Sequence, residues 1–272
     1  MDKFYDSNIE LWNEWTEIHK NTPGYDLQGF LKGGSKLHSL ERDELGDVAG
    51  RSLLHLQCHF GLDTLSWARL GAVVTGVDFS DKAIALAQQL SVETKLPARF
   101  IHSNVFDLPD VLDEQFDIVF TSYGALYWLH DIPAWGKLVS RYLKPGGVFY
   151  IAEFHPFTQI FEESDDHKGV RIAYPYFPQA EPLKFDVVGS YADPTARVNH
   201  AVEYGWQHSL SEIINALLSA GLILEYVHEH AVTVDQSYFP HLFEPIEGRY
   251  WRLKVHATSI PLMFSIRAHK GT

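Results

Sequence analysis

Polar and glycine residues that could hold a ligand stand at the ends of the predicted strands in residues 51–155. The five groups are His55–Asp63, Asp78–Ser80, Ser103–Val105, Ser122–Trp128 and Glu153–His155. Parallel sheets bind their ligands outside the carboxyl ends of the strands, so we expect these groups to meet at one edge of a sheet. Their common placement indicates a site more strongly than any single group does.

The first group joins a predicted strand to a predicted helix through a tight turn. Exposed N–H groups at the start of a helix bind carboxylates or phosphates, and Gly61 lets a ligand approach the backbone closely. An ordinary β–α turn can also contain a glycine, so this segment alone is a weak signal. The residues that we expect at the ligand here are Gln57, Cys58, His59, Gly61 and Asp63.

The second and third groups suit an adenosine-containing ligand. The carboxylate of Asp78 can accept hydrogen bonds from both ribose hydroxyls, Phe79 can pack on adenine, and Ser80 can cap the following helix. The amide of Asn104 can accept from the exocyclic amine of adenine and donate to a ring nitrogen, with Val105 as an apolar contact. The competing interpretations are an acid at a helix start for Asp78 and a turn residue for Asn104.

The elements that position these groups alternate between strand and helix. Predicted strands are Ser52–Gln57, Ala72–Asp78, Arg99–Ser103, Phe116–Tyr123, Val148–Glu153, Leu222–Glu229 and Leu262–His269. Predicted helices are Leu62–Leu70, Asp81–Thr94, Pro133–Leu143 and one that opens at the capping box Ser209–Glu212. This order predicts an α/β fold with a doubly wound, mostly parallel, seven-stranded Rossmann-like sheet.

With these positions in view, residues of about 50–155 resemble the core of the class I S-adenosylmethionine-dependent methyltransferases, in particular their small-molecule branch. The matching positions are Cys58 and Gly61 in the first motif, Asp78 for ribose, Asn104–Val105 for adenine, Phe116–Val119 in the central strand and Leu143–Gly147 before the fifth strand. The first motif departs from the family pattern at His55, Gln57 and His59. The resemblance implies methyl transfer from S-adenosylmethionine to a small molecule by in-line displacement, with S-adenosylhomocysteine as product.

Four segments are expected on this basis. Residues 1–49 form a helical N-terminal cap, and residues 50–155 form the cofactor-binding core. Residues 156–206 contain five prolines and short apolar runs, which favour an inserted antiparallel lid over the substrate. Residues 207–272 supply the C-terminal part of the core sheet.

Aromatic and histidine side chains near the predicted edge are candidates for the reactive end of the site. Ser122 completes the predicted cofactor set. The expected substrate-binding residues are Trp12, Tyr25, Tyr123, Tyr127, Trp128 and His155. His155 is the first candidate for a general base because it follows a core strand, and His59 is the second.

Charge and composition restrict the partners. The formal net charge is −13 with no block of Lys or Arg, which disfavours nucleic acid and an anionic membrane surface. The lone cysteine, the short apolar runs and the absence of a secretory pattern at the N-terminus favour a cytoplasmic protein. No metal site is expected, because His228, His230 and His241 lack carboxylate or cysteine partners at suitable spacing. A monomer and a homodimer both remain open.

Three other functions compete with the methyltransferase interpretation. The altered first motif also suits a methyltransferase-like binding protein without activity. A nicotinamide-dependent oxidoreductase is disfavoured because only Gly61 of a G-x-G-x-x-G pattern is present. A nucleic-acid or protein methyltransferase is disfavoured by the charge and by the lack of a recognition module.

Overall fold

The computed structural model describes residues 2–272 and contains a central seven-stranded sheet with helices on both faces. The helices are α1 (Asp2–His19), α2 (Leu27–Leu31), α3 (Ser39–Leu45), α4 (Leu62–Arg69), α5 (Asp81–Thr94), α6 (Ile132–Tyr142) and α7 (Leu210–Ser219). The strands of the central sheet are β1 (Ser52–Leu56), β2 (Val73–Asp78), β3 (Ala98–His102), β4 (Phe116–Thr121), β5 (Leu143–Phe154), β10 (Leu222–His230) and β13 (Met263–Lys270). The remaining strands are β6 (Phe161–Glu163), β7 (Val170–Ile172), β8 (Leu183–Asp186), β9 (Val202–Gly205), β11 (Phe243–Ile246) and β12 (Tyr250–Leu253).

The order of the sheet is β10-β13-β5-β4-β1-β2-β3. Strand β13 runs in the direction opposite to that of the other six strands. From β1 the chain proceeds to β2 and β3 on one side and then returns to β4 on the other. The topological switch point therefore lies between β1 and β4, where a crevice opens at the carboxyl ends of the strands. This arrangement confirms the predicted fold class.

Successive residues of the central strands supply opposite faces of the sheet, as the period of a β-strand requires. Leu53 and Ile118 pack with Trp67 of α4 on one face. Leu54 and Val119 pack with the residues of α6 and α7 on the other. Burial on both faces explains why these strands are continuous apolar runs.

Some element boundaries differ from the predicted ones. Strand β1 ends at Leu56 because Gln57 adopts a left-handed backbone conformation with φ of 58°. Strand β5 already begins at Leu143, with a register shift against β4 before Val148. The predicted loop between β10 and β13 contains the hairpin β11–β12, which sequence patterns missed because Pro245 lies inside β11.

Residues 156–206 contain the two short hairpins β6–β7 and β8–β9. Helix α1 is fastened to this insert. The Asn8 side chain donates to the carbonyl oxygen of Tyr204 at 2.8 Å and accepts from its N–H at 3.0 Å. The indole of Trp15 donates to the carbonyl oxygen of Gly189 at 2.9 Å. Among the described residues, no helix has the length and apolar character of a transmembrane span.

Candidate functional site

The turn after β1 is strained and is tied to the end of β2. His59 has φ of 51° and Gly61 has φ of 77°, both in the left-handed region. The N–H of Cys58 donates to the carbonyl oxygen of Val77 at 2.8 Å, and the N–H of His59 donates to Asp78 Oδ2 at 2.7 Å. Left-handed backbone is costly for a histidine, and it persists where the surroundings fix it, commonly at functional sites.

Asp78 organises this edge of the sheet. Its carboxylate accepts from the N–H groups of His59 and Ser80, the latter at 2.9 Å, and the residue is only 6% exposed. Burial raises the pKa of Asp78 to about 6. A carboxylate has about four acceptor positions, so Asp78 can also accept from two hydroxyl groups of a ligand.

Gly61 is required for close packing as well as for its backbone conformation. A Cβ atom at this position would lie 2.6 Å from the ring of Phe100 and 3.1 Å from Cβ of Ala87. The turn therefore rests directly on β3 and α5, with no space for a side chain.

Replacing Gly61 with alanine is expected to lower the free energy of unfolding by about 2–4 kcal/mol, from left-handed strain and overpacking together. Gly50→Ala is a matched control, because Gly50 has φ of 73° and an added Cβ would meet no atom within 4 Å. The control should lose about 1 kcal/mol, from strain alone. Urea unfolding measures the free energy of unfolding of both variants. If both lost the same amount, the contact with Phe100 would not be a reason for glycine at position 61.

A chain of polar side chains crosses the switch point beside this turn. His55 Nδ1 lies 2.8 Å from Thr64 Oγ1, and its Nε2 lies 3.3 Å from Ser122 Oγ. The Ser122 hydroxyl donates to Asp63 Oδ2 at 3.3 Å. Burial lowers the pKa of His55 to about 3 and raises that of Asp63. His55 is therefore neutral, and it holds Ser122, which follows β4, beside Asp63 at the start of α4.

Aromatic rings from four parts of the chain cover this edge. We call them the aromatic cover, and they are Trp12, Trp15, His19, Tyr25, Trp128 and Tyr191. The rings of Trp12 and Tyr25 lie 5.0 and 5.5 Å from that of His59. The hydroxyl groups of Tyr25 and Tyr191 are hydrogen bonded to each other. The N-terminal segment and the insert thus meet above the turn that follows β1.

Unpartnered polar atoms gather beneath the aromatic cover. Ten buried side-chain nitrogen or oxygen atoms among the described residues have no hydrogen-bond partner, and five of them are here. They are Trp12 Nε1, both ring nitrogens of His19, Gln57 Oε1 and His59 Nε2. Gln57 is held in place because its Nε2 donates to the carbonyl oxygen of Ala125 at 2.7 Å. Buried polar groups normally find partners, so this concentration indicates that a polar ligand satisfies them.

The electrostatics of the residues beneath the aromatic cover favour a ligand that carries a positive charge. Burial lowers the pKa of His19 to about 3 and that of His59 well below its usual range, so both imidazoles are neutral. They do not repel a cation, and the faces of Trp12 and Trp128 attract one. Asp63 adds a carboxyl group nearby, at the start of α4.

The structure brings some predicted substrate residues together and separates others. Trp12, Tyr25 and Trp128 share the aromatic cover. The other three contact different partners: the Tyr123 hydroxyl donates to Glu41 at 2.7 Å, the Tyr127 hydroxyl donates to Glu203 at 2.8 Å, and His155 Nε2 lies 2.9 Å from Glu229 Oε1. His155 Nδ1 also accepts from the N–H of Phe157 at 3.1 Å, so this imidazole is engaged away from the cover.

The predicted adenine-binding residues form a turn after β3. Asn104 Oδ1 accepts from the N–H of Phe106 at 3.0 Å, and Val105 is buried in the core beside Leu56. The carbonyl oxygen of Phe79 lies 3.0 Å from His102 Nε2. These side chains occupy the expected edge of the sheet, and their role with a ligand stays a prediction.

Sequence reasoning missed His19 and Tyr191. His19 follows Trp12 and Trp15 at positions i, i+3 and i+7, which share one helix face, so helical periodicity could have found it. Tyr191 lies in the insert outside any helix or strand, and no periodic signal marks it.

Comparisons with known proteins found similar sequences and similar folds. The methyltransferase-domain family matches residues 54–151. An uncharacterized methyltransferase YbaJ of Bacillus subtilis is 23% identical over 249 residues, covering 85% of this chain and 94% of the relative. The crystal structure of an S-adenosylmethionine-dependent methyltransferase from Mesorhizobium loti superposes with a TM-score of 0.59 at 20% identity, covering 88% of this chain and 100% of that one.

A second group of relatives matches a smaller share of the chain. The ubiquinone biosynthesis O-methyltransferase of Pseudomonas syringae is 32% identical over 109 residues, which is 40% of this chain. The chain spans about half the length of that relative, at 47%.

Proposed function

We propose that this chain is a class I S-adenosylmethionine-dependent methyltransferase and that it methylates a small molecule bound beneath the aromatic cover. The observation that carries the proposal is the closure of the ligand edge by helix α1 and the insert. A ligand edge closed by aromatic rings suits a small acceptor, whereas a polymer needs an open groove. The net charge of −13 adds to the case against nucleic acid.

The residues present fit the cofactor. The unpartnered atoms of Gln57 and His19 are suited to the amino, carboxylate and hydroxyl groups of a nucleoside-linked amino acid. We propose the following cofactor-binding set: Gln57, Cys58, His59, Gly61, Asp63 and Ser122 near the methionine end, Asp78, Phe79 and Ser80 near the ribose, and Asn104 with Val105 near the adenine.

When bound, S-adenosylmethionine supplies an activated methyl group on a cationic sulfur. The protein then has to align the acceptor and exclude water. We propose that Trp12, Tyr25 and Trp128 form the wall against which the acceptor lies. Residues 1–49 and 156–206 act together as cap and lid in this proposal, over a core formed by residues 50–155 and 207–272.

Of the two histidines considered for proton transfer, His59 is the better placed. Its Nε2 has no hydrogen-bond partner and lies beneath the cover, whereas His155 lies beside Glu229, away from the cover, and its Nδ1 already accepts from the N–H of Phe157. We propose that a neutral His59 accepts the proton of an acceptor hydroxyl or amine. Because burial keeps the pKa of His59 low, it can take up this proton only as the acceptor loses it.

The test is methyl transfer from S-adenosylmethionine labelled with tritium in its methyl group. The purified chain is incubated with a cell extract divided by ultrafiltration into metabolites and macromolecules, and in parallel with pools of phenols, amines and thiols. We expect label in the metabolite fraction and in one of the pools, and none in protein or RNA. Label confined to macromolecules would refute the small-molecule proposal, and no transfer despite cofactor binding would support the non-catalytic alternative.

A further inference from the structure

Glu163, His167 and His241 come together on the outside of the molecule, apart from the proposed active site. Glu163 ends β6, His167 lies in the turn between β6 and β7, and His241 lies in the segment that precedes β11. Each imidazole has its Nδ1 2.7 Å from Glu163 Oε1. The two imidazole rings are 3.9 Å apart between their centroids.

From this geometry we infer a binding site for a divalent transition metal of the zinc class. Two imidazole nitrogens and one carboxylate oxygen form a known ligand set for zinc, with metal–ligand distances of about 2.0–2.2 Å. One ligand atom of each residue lies within 4.8 Å of the other two. Nitrogen ligands favour zinc, copper or nickel over magnesium and calcium.

Two of the three separations between ligand atoms, those from Glu163 Oε1 to the two Nδ1 atoms, are close to what an ion requires. Around a tetrahedral ion the ligand atoms would stand about 3.4 Å apart, so the two 2.7 Å hydrogen bonds would open by somewhat more than half an ångström. The His167 and His241 side chains are 55% and 56% exposed, so they are free to make this movement. Their exposure also leaves the fourth coordination position open to water.

The surroundings of the site hold its ligands in place. The Glu163 side chain is only 10% exposed, and its second oxygen accepts from the N–H of His241 at 3.2 Å. The turn bearing His167 is closed because its N–H donates to the carbonyl oxygen of Ser164 at 2.8 Å. Lys254 donates to the carbonyl oxygen of His241 at 2.7 Å, which fixes the third ligand. A partly formed site of this kind needs little reorganisation to bind an ion.

A bound ion would link two segments that are distant in sequence. Glu163 and His241 are 78 residues apart, and they belong to the insert and to the segment between β10 and β13. This separation is also why spacing along the chain does not predict the site. The link would stabilise the fold when metal is present, because an ion that binds only the folded state adds its binding free energy to stability.

Isothermal titration of the untagged, metal-free chain with zinc chloride tests the proposal, with magnesium chloride as the comparison ion. We expect one equivalent of zinc to bind with micromolar affinity and magnesium not to bind. His167→Ala and His241→Ala should each weaken zinc binding at least tenfold. His200→Ala is the matched control, because His200 also has its Nδ1 2.7 Å from a glutamate, Glu14, and is half exposed, but has no third ligand.

A spectroscopic measurement and a thermal measurement distinguish a metal site from a cluster held only by hydrogen bonds. Cobalt(II) should give the strong visible absorption of a four-coordinate ion in the wild type and in His200→Ala, and lose it in His241→Ala. Zinc should raise the unfolding temperature of the same two proteins and leave that of His241→Ala unchanged. Equal zinc affinity in all three histidine variants, or no zinc binding by the wild type, would overturn the proposal.

Discussion

Glu153→Gln is expected to lower the free energy of unfolding by about 3–5 kcal/mol, because this buried carboxylate organises the loop after β4. Its two oxygens accept four backbone N–H groups, at distances of 2.5 to 3.1 Å. These N–H groups belong to Gly124, Ala125, Leu126 and Phe154. Glutamine would turn an NH₂ group toward some of these donors and leave them unpartnered. Urea unfolding measures the loss.

Glu229→Gln provides the matched control for Glu153→Gln. Glu229 also lies in the central sheet, but its side chain is 56% exposed and its neighbour is the imidazole of His155. We expect this variant to lose less than about 1 kcal/mol. If the two substitutions lowered the free energy of unfolding by similar amounts, the N–H groups around Glu153 would not require a carboxylate. Burial raises the pKa of Glu153 against the opposing effect of those four hydrogen bonds.

Asp78→Asn is expected to weaken binding of S-adenosylhomocysteine about 100-fold at pH 7.5, which corresponds to the loss of strong hydrogen bonds to a carboxylate. The ionised Asp78 can accept from two ribose hydroxyls, whereas asparagine has one acceptor oxygen and an NH₂ group that opposes them. Titration calorimetry measures the affinity, and urea unfolding confirms that the variant is folded. Asp81→Asn is the control, because Asp81 begins helix α5 only three residues after Asp78 but accepts from the Asn13 side chain on the exposed side.

The pH dependence of binding gives a second signature of Asp78. Burial raises its pKa to about 6 from an ordinary value of 3.8. The free energy of unfolding therefore falls as the pH rises through about 4–6, because the folded state binds this proton more tightly than the unfolded chain does. Protonation of Asp78 also removes the acceptor that the ligand needs. We expect the affinity of the wild type to fall by about tenfold for each pH unit below 6, and that of Asp78→Asn to stay level across this range. A wild-type affinity that did not change between pH 5 and 7 would contradict the placement of the ribose.

The sequence was sufficient to predict the sheet because its strands are buried on both faces. The strand that begins at Phe116 and the helix cap at Ser80 carry their structure in local patterns, and both are predicted correctly, although the strand ends at Thr121 and not at Tyr123. The cap at Ser209 is present as well, with its hydroxyl accepting from the N–H of Glu212. Such elements depend on short-range periodicity and capping, which a sequence displays directly.

The cover over the site depended on contacts that no local pattern displays. Helical spacing places Trp12 and Trp15 on one face, but it does not say which surface they meet. Tyr191 reaches Tyr25 across 166 residues of sequence. His155 is a candidate base because it follows a central strand. Its position in the sequence does not reveal that its imidazole lies beside Glu229 on β10. Tertiary packing decided these cases.

The N-terminal segment and the insert are joined by hydrogen bonds at Asn8, Trp15 and Tyr25, and this union has a kinetic consequence. In the proposed lid, the two segments would leave the edge of the sheet together, so that one conformational opening would serve both ligands. Each exchange of S-adenosylhomocysteine for fresh cofactor would also expose the acceptor to water. The dissociation rates of the two products are then coupled, and the opening rate sets an upper limit on turnover.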